Sequence, residues 1–85
     1  MSFGDAIPKL KQGIRDGNTH VKIRQQMSTT FADGIVDEIV FTARRMGLSA
    51  SSVSGRGWFN KPHLVTVEGN IHDVLRLYEI IERME

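Results

Sequence analysis

The sequence predicts an α+β fold: a three-stranded antiparallel sheet with helices on one face. Three observations carry the prediction. Residues 31–46 repeat their apolar positions every three or four residues, as an amphipathic helix does. Residues 19–27 alternate apolar and polar, the period of a strand with one wet face. Two short strand-like runs, 48–54 and 63–68, flank a Gly- and Pro-bearing segment and read as a hairpin with a long connection.

Residues 2–14 form the first helix. Ser2 and Asp5 stand at a weak capping-box spacing, and Phe3, Ala6, Ile7, Leu10 and Ile14 share a face. Pro8 belongs in a first turn, so the helix is expected to start near Asp5, and Gly13 is a candidate stop. Asp16-Gly17-Asn18 is a turn. In the strand that follows, Val21, Ile23, Gln25 and Met27 face one way and His20, Lys22, Arg24 and Gln26 the other.

Thr30 and Asp33 have capping-box spacing ahead of the second helix, which runs to about Met46. Its stripe is Phe31, Ile35, Val36, Ile39, Val40, Ala43 and Met46. Acids in the first half and Arg44-Arg45 at the end suit the helix dipole, and Gly47-Leu48 reads as a Schellman stop. The strand at 48–54 is small and polar around Leu48, Ala50 and Val53, as an edge strand can be; the one at 63–68 is richer in β-branched residues. Gly69-Asn70 ends it, and Asn70 caps a last helix with Val74, Leu77, Tyr78, Ile81 and Met84 on its core face, widened by Ile71, Leu75 and Ile80.

The order is α-β-α-β-β-α over a single domain, residues 1–85, with strand order 1-3-2 in a two-layer sandwich. This resembles a ferredoxin-like split motif without its fourth strand. The uncovered face would show His20, Lys22 and Arg24 with either Thr66 and Glu68 or His63. The first strand would be an open edge. That edge, with Leu75 and Ile80, suggests a homodimer.

A chain of 85 residues buries only about 60–65% of its unfolded surface, so one small core is all it can build. The net charge of +1 gives no bulk electrostatic argument for nucleic acid or anionic membrane. Cysteine is absent, which removes disulfide scaffolds and thiolate chemistry and fits a cytoplasmic setting. The start has neither a basic n-region nor an apolar h-region, so no signal peptide is expected, and no apolar run is long enough to span a membrane.

His20, His63 and His72 lack metal-ligand spacing; a metal site would need His20 and His63 to be neighbours across the sheet. Asp33 and Asp37 share a helical face, which reads as a solvated acidic half-helix. No serine stands in a nucleophile elbow. Gly55-Arg56-Gly57 lacks the lysine and following helix of a P-loop and the third glycine of a dinucleotide fingerprint. The expectation is a protein that is not an enzyme, with no cofactor and no metal.

The segment Ser54–Pro62 concentrates the remaining signal. Arg56, Trp58, Phe59 and Lys61 combine aromatic area with positive charge, as partner-binding hot spots do. Trp58 and Phe59 folding back as a lid on the core is the competing structural reading. The leading functional expectation is a small cytoplasmic, non-catalytic binding module that regulates, inhibits or adapts a protein partner. The alternative is a nucleic-acid-binding module using Lys22, Arg24, Arg56, Trp58 and Lys61. A third reading is a small-ligand binder at a dimer seam.

Phe3-Gly4-Asp5-Ala6-Ile7, continuing through Leu10-Lys11-Gln12-Gly13, is similar to the opening helix of many small bacteriophage proteins. Some of those sequester nucleotide signals used in host defence. They continue into a basic strand ending in Gly-Trp; here that place holds Asp16-Gly17-Asn18 and Val21-Lys22-Ile23-Arg24, with Gly57-Trp58 much later. The resemblance implies a small bacterial or phage accessory protein and carries over no site residue.

Overall fold

The computed structural model describes residues 3–17, 21–55 and 62–84, with only the backbone of residues 3 and 4. Its elements are α1 (Phe3–Arg15), β1 (Lys22–Thr29), α2 (Asp33–Arg45), β2 (Ser49–Ser54), β3 (His63–Asn70) and α3 (Ile71–Met84). The strands form one antiparallel sheet in the order β1-β3-β2, as the alternation and the hairpin predict. α2 and α3 pack on one face of it, and α1 packs on α3. One core joins all three helices to the sheet, with Val36, Ile39, Val65, Val67, Val74, Leu77, Tyr78 and Ile81 fully buried. No helix of the described residues is long and apolar enough to cross a membrane.

The register sorts the side chains. Ile23, Gln25, Met27 and Thr29 stand beside Gly69, Val67, Val65 and His63 under the helices. Lys22, Arg24, Gln26 and Ser28 stand beside Asn70, Glu68, Thr66 and Leu64 on the uncovered face. The uncovered face therefore shows Thr66 and Glu68, and His63 points into the core.

Several local expectations are corrected. α1 begins at Phe3, two residues ahead of Asp5, and keeps Pro8 in its interior. Proline there forfeits the bond to the Gly4 carbonyl, but Ala6 and Ile7 on the turn before it are buried, which holds that turn in place. Gly13 stays helical; the stop is Gly17, at φ +93°, whose N–H donates to the Ile14 carbonyl at 3.0 Å. The Thr30/Asp33 capping box does not form. Ala32 is the N-cap residue, without a side-chain cap, while Thr29 Oγ1 accepts the Phe31 N–H at 3.3 Å.

The Gly47 stop is a full Schellman motif: Gly47 N–H donates to the Arg44 carbonyl and Leu48 N–H to the Ala43 carbonyl, both at 3.0 Å, with Gly47 at φ +87°. It folds Leu48 into the core. There Leu48 meets Gly69, where any β-carbon would run into its side chain. Gly69 is thus not a strand end. β3 continues through it to Asn70, paired with Ile23 and Lys22 of β1. Asn70 then caps α3, its Oδ1 accepting the His72 N–H at 2.9 Å.

Candidate functional site

The segment that concentrates the sequence signal is the connection of the β2–β3 hairpin. Arg56, Trp58, Phe59 and Lys61 themselves lie outside the described residues, as does His20. The root of the connection is well defined. Gly55 N–H donates to the Pro62 carbonyl at 2.6 Å, closing the ladder one rung beyond Ser54 and His63. A β-carbon on Gly55 would lie 2.6 Å from Pro62 Cγ, so glycine is what lets the proline ring pack against the opposing backbone. The loop is therefore presented from a closed, proline-stiffened rung.

Two rungs in from it, Val53 and Leu64 face each other across the hairpin on the uncovered sheet face. They are 67% and 40% exposed, an unusual state for a cross-strand aliphatic pair. Together with Ser28, Ser54, Gly55, Pro62 and His63 they line a shallow pocket of about 220 Å³.

One rung in, His63 turns under the helix layer and is 3% exposed. Its Nδ1 lies 3.1 Å from Ser54 Oγ on the neighbouring strand. Its Nε2 lies 3.0 Å from Asp33 Oδ1 in the first turn of α2, but the carboxylate is off the N–H direction, so the contact is electrostatic and not a well-formed hydrogen bond. Serine, imidazole and carboxylate thus meet at the loop root, a grouping that local sequence patterns do not show because it needs α2 docked on the sheet. Asp33 is 70% exposed and water-solvated. We read the cluster as a brace: it ties the hairpin end to the start of α2, with Ser54 Oγ as the hydrogen-bond partner of the imidazole Nδ1.

Of the basic residues of the nucleic-acid alternative, Lys22 and Arg24 are among the described residues. Lys22 pairs with Asn70, at the end of the ladder opposite the loop, and Thr29, not residue 20, is the β1 neighbour of His63. Lys22 and Thr29 are seven residues apart along β1, or about 23 Å. Lys22 Nζ also lies 3.4 Å from Glu68 Oε1, and Arg24 stands directly opposite Glu68. That carboxylate offsets the local positive charge.

Asp33 and Asp37 part company as well: Asp33 turns to His63, whereas Asp37 lines a cleft between α2 and β2. Among the described residues no group of three His, Asp or Glu side chains is placed to hold a metal ion. Leu75, read as a surplus apolar residue, is half-buried against the core. Compared with known proteins, the chain matches no family model, no curated protein and no solved structure.

Proposed function

We propose that the chain is a small non-catalytic protein-binding module, acting as a regulator, inhibitor or adaptor by contact, and that it engages its partner through the loop end of the β2–β3 hairpin. The observation that carries this reading is the exposed Val53–Leu64 pair at the root of the connection. Exposed apolar area costs solubility and returns nothing to the fold, so its placement beside a Trp- and Arg-bearing loop favours an interface. Closure by Gly55 and Pro62 supports it further, because a root already held in one conformation has less freedom to lose on binding. The nucleic-acid alternative has less support, since Lys22 and Arg24 surround Glu68 at the other end of the sheet.

The test is site-specific photo-crosslinking in cells of the source organism. A crosslinking residue at position 53 or 64 is expected to trap one discrete protein, and the same residue at exposed Glu82 is not. Trp58→Ala should reduce the yield at position 53 by about tenfold while leaving the melting temperature unchanged. Equal trapping from all three positions, or none from 53 and 64, would remove the hairpin end as the binding surface.

A further inference from the structure

The second edge of the sheet has a property the hairpin end does not explain. β2, Ser-Ala-Ser-Ser-Val-Ser, has no charge and no proline along a free edge. Natural edges are normally guarded by one or the other. β1, the other edge, carries Lys22 and Arg24.

The hydrogen-bond phase of β2 follows from its last rung. Gly55 donates to Pro62, so residues 49, 51, 53 and 55 direct their backbone groups toward β3. Ala50, Ser52 and Ser54 direct theirs outward. Arg44 of α2 confirms this, since its Nη2 and Nε reach the outward Ala50 carbonyl at 3.0 and 3.2 Å.

That contact also fixes the level of α2 against β2. Ser52 lies two strand residues from Ala50, a rise of about 6.7 Å. The same rise along a helix is about four residues, which puts Val40 and Phe41 beside Ser52. All three line one cleft between the helix and the edge strand, with Asp37 and Arg44. Phe41 is 57% exposed there, under the Arg45 guanidinium.

The face is self-complementary about that level. A two-fold axis perpendicular to the sheet at Ser52 sets Ser52 against its own copy and Ala50 against Ser54. The same axis passes between Val40 and Phe41. It sets Asp37 of one copy against Arg44 of the other, because the two residues stand equally far from it along α2. Strand centre, apolar centre and charge pair thus share one axis, the requirement of an isologous interface.

We propose that the β2 edge and the Asp37–Phe41–Arg44 face of α2 form the seam of a homodimer, a second copy of this chain continuing the sheet to six strands. The Ala50 carbonyl already accepts both Nε and Nη2 of Arg44, so taking the N–H of the partner's Ser54 means that Arg44 gives up one of the two and keeps the other. We place the seam at β2 and not at the β1 edge because β1 carries Lys22 and Arg24 whereas β2 has no charge of its own. The seam sets the two Val53–Leu64 pairs on the same uncovered face, one to either side of the axis, because Val53 is one residue from Ser52. The proposal is argued from the β2 edge and α2 and not from the partner-binding reading, and a second copy of this chain trapped from position 53 would report this seam and not a different partner.

Sedimentation of the full chain from low to high micromolar concentration tests it. The wild type is expected to be a dimer. Ser52→Pro removes an outward N–H and should weaken the dimer by about tenfold or more, with the melting temperature unchanged at concentrations where both proteins are monomeric. Asp37→Arg and Arg44→Asp should each weaken it, and the double exchange should restore it. A monomeric wild type at high micromolar concentration overturns the proposal and leaves the edge to a different strand. So does a dimer that Ser52→Pro leaves intact. Should Ser52→Pro lower the melting temperature, the charge exchange decides: failure of the double variant to recover association overturns the seam.

Discussion

The imidazole of His63, in the central strand, lies 3.0 Å from the carboxylate of Asp33, in the first turn of α2. The two residues have opposite surroundings. The imidazole is buried, and the carboxylate is 70% exposed.

Their substitutions should therefore differ in cost. His63→Ala opens a cavity between sheet and helix and should cost about 2–4 kcal/mol. Asp33→Ala loses a solvated contact and one favourable first-turn charge, about 1 kcal/mol or less. Chemical denaturation of both variants checks this. Equal losses would mean that the Asp33 contact, not burial, holds the hairpin end to α2.

Gly69 and Leu48 give a second test. Gly69→Ala drives a methyl into the Leu48 side chain and should cost about 1–3 kcal/mol. Leu48→Ala removes a buried side chain and should cost about 2–4 kcal/mol. The double variant should lose less than the sum by about 1 kcal/mol, because the methyl then has room. Strict additivity would show that Leu48 is not what excludes a side chain at position 69.

These residues also mark where the sequence can be read. The Gly47-Leu48 stop was legible because every part of a Schellman motif is local. The alternation of β1 and the hairpin around residue 55 likewise led to the 1-3-2 order, since a hairpin fixes one neighbour and an amphipathic crossover the other. Gly69 was misread as a strand end because its role is a long-range contact with Leu48. Thr30 offered a cap that lost to the Thr29 turn at Phe31. Pro8 was expected to delay α1, but burial of Ala6 and Ile7 outweighs a local penalty. Around the candidate site the hairpin was legible. The Ser54–His63–Asp33 cluster was not, because its members come from three elements that meet only once α2 docks.

Pro8 itself yields a prediction of gain. It is exposed and interior to α1, where proline costs about 3 kcal/mol. Pro8→Ala gives back part of this as unfolded-chain entropy, about 0.4–1 kcal/mol. The net expectation is a stabilisation of about 2 kcal/mol, seen as a melting temperature higher by roughly 8–16 °C. A lower melting temperature would show that the proline is needed to set how α1 packs on α3.

Tyr78 makes stability depend on alkaline pH. It has no exposed surface, and burial pushes its phenol above the ordinary value of 10.0. The unfolded chain releases this proton near its ordinary pKa, while the folded chain keeps it. Above about pH 10 the unfolded state therefore binds fewer protons, and stability falls as pH rises, by up to about 1.4 kcal/mol per pH unit. The contribution is fully present below pH 10 and is lost as pH climbs toward the folded-state value. Tyr78→Phe has no proton to lose, so it should lack this part of the slope while keeping every contribution from lysines and arginines. Urea denaturation of both proteins between pH 8 and 11 measures the difference directly. Parallel pH profiles would mean that the phenol ionises as readily in the folded chain as in the unfolded one, and that the ring is not sealed in the core.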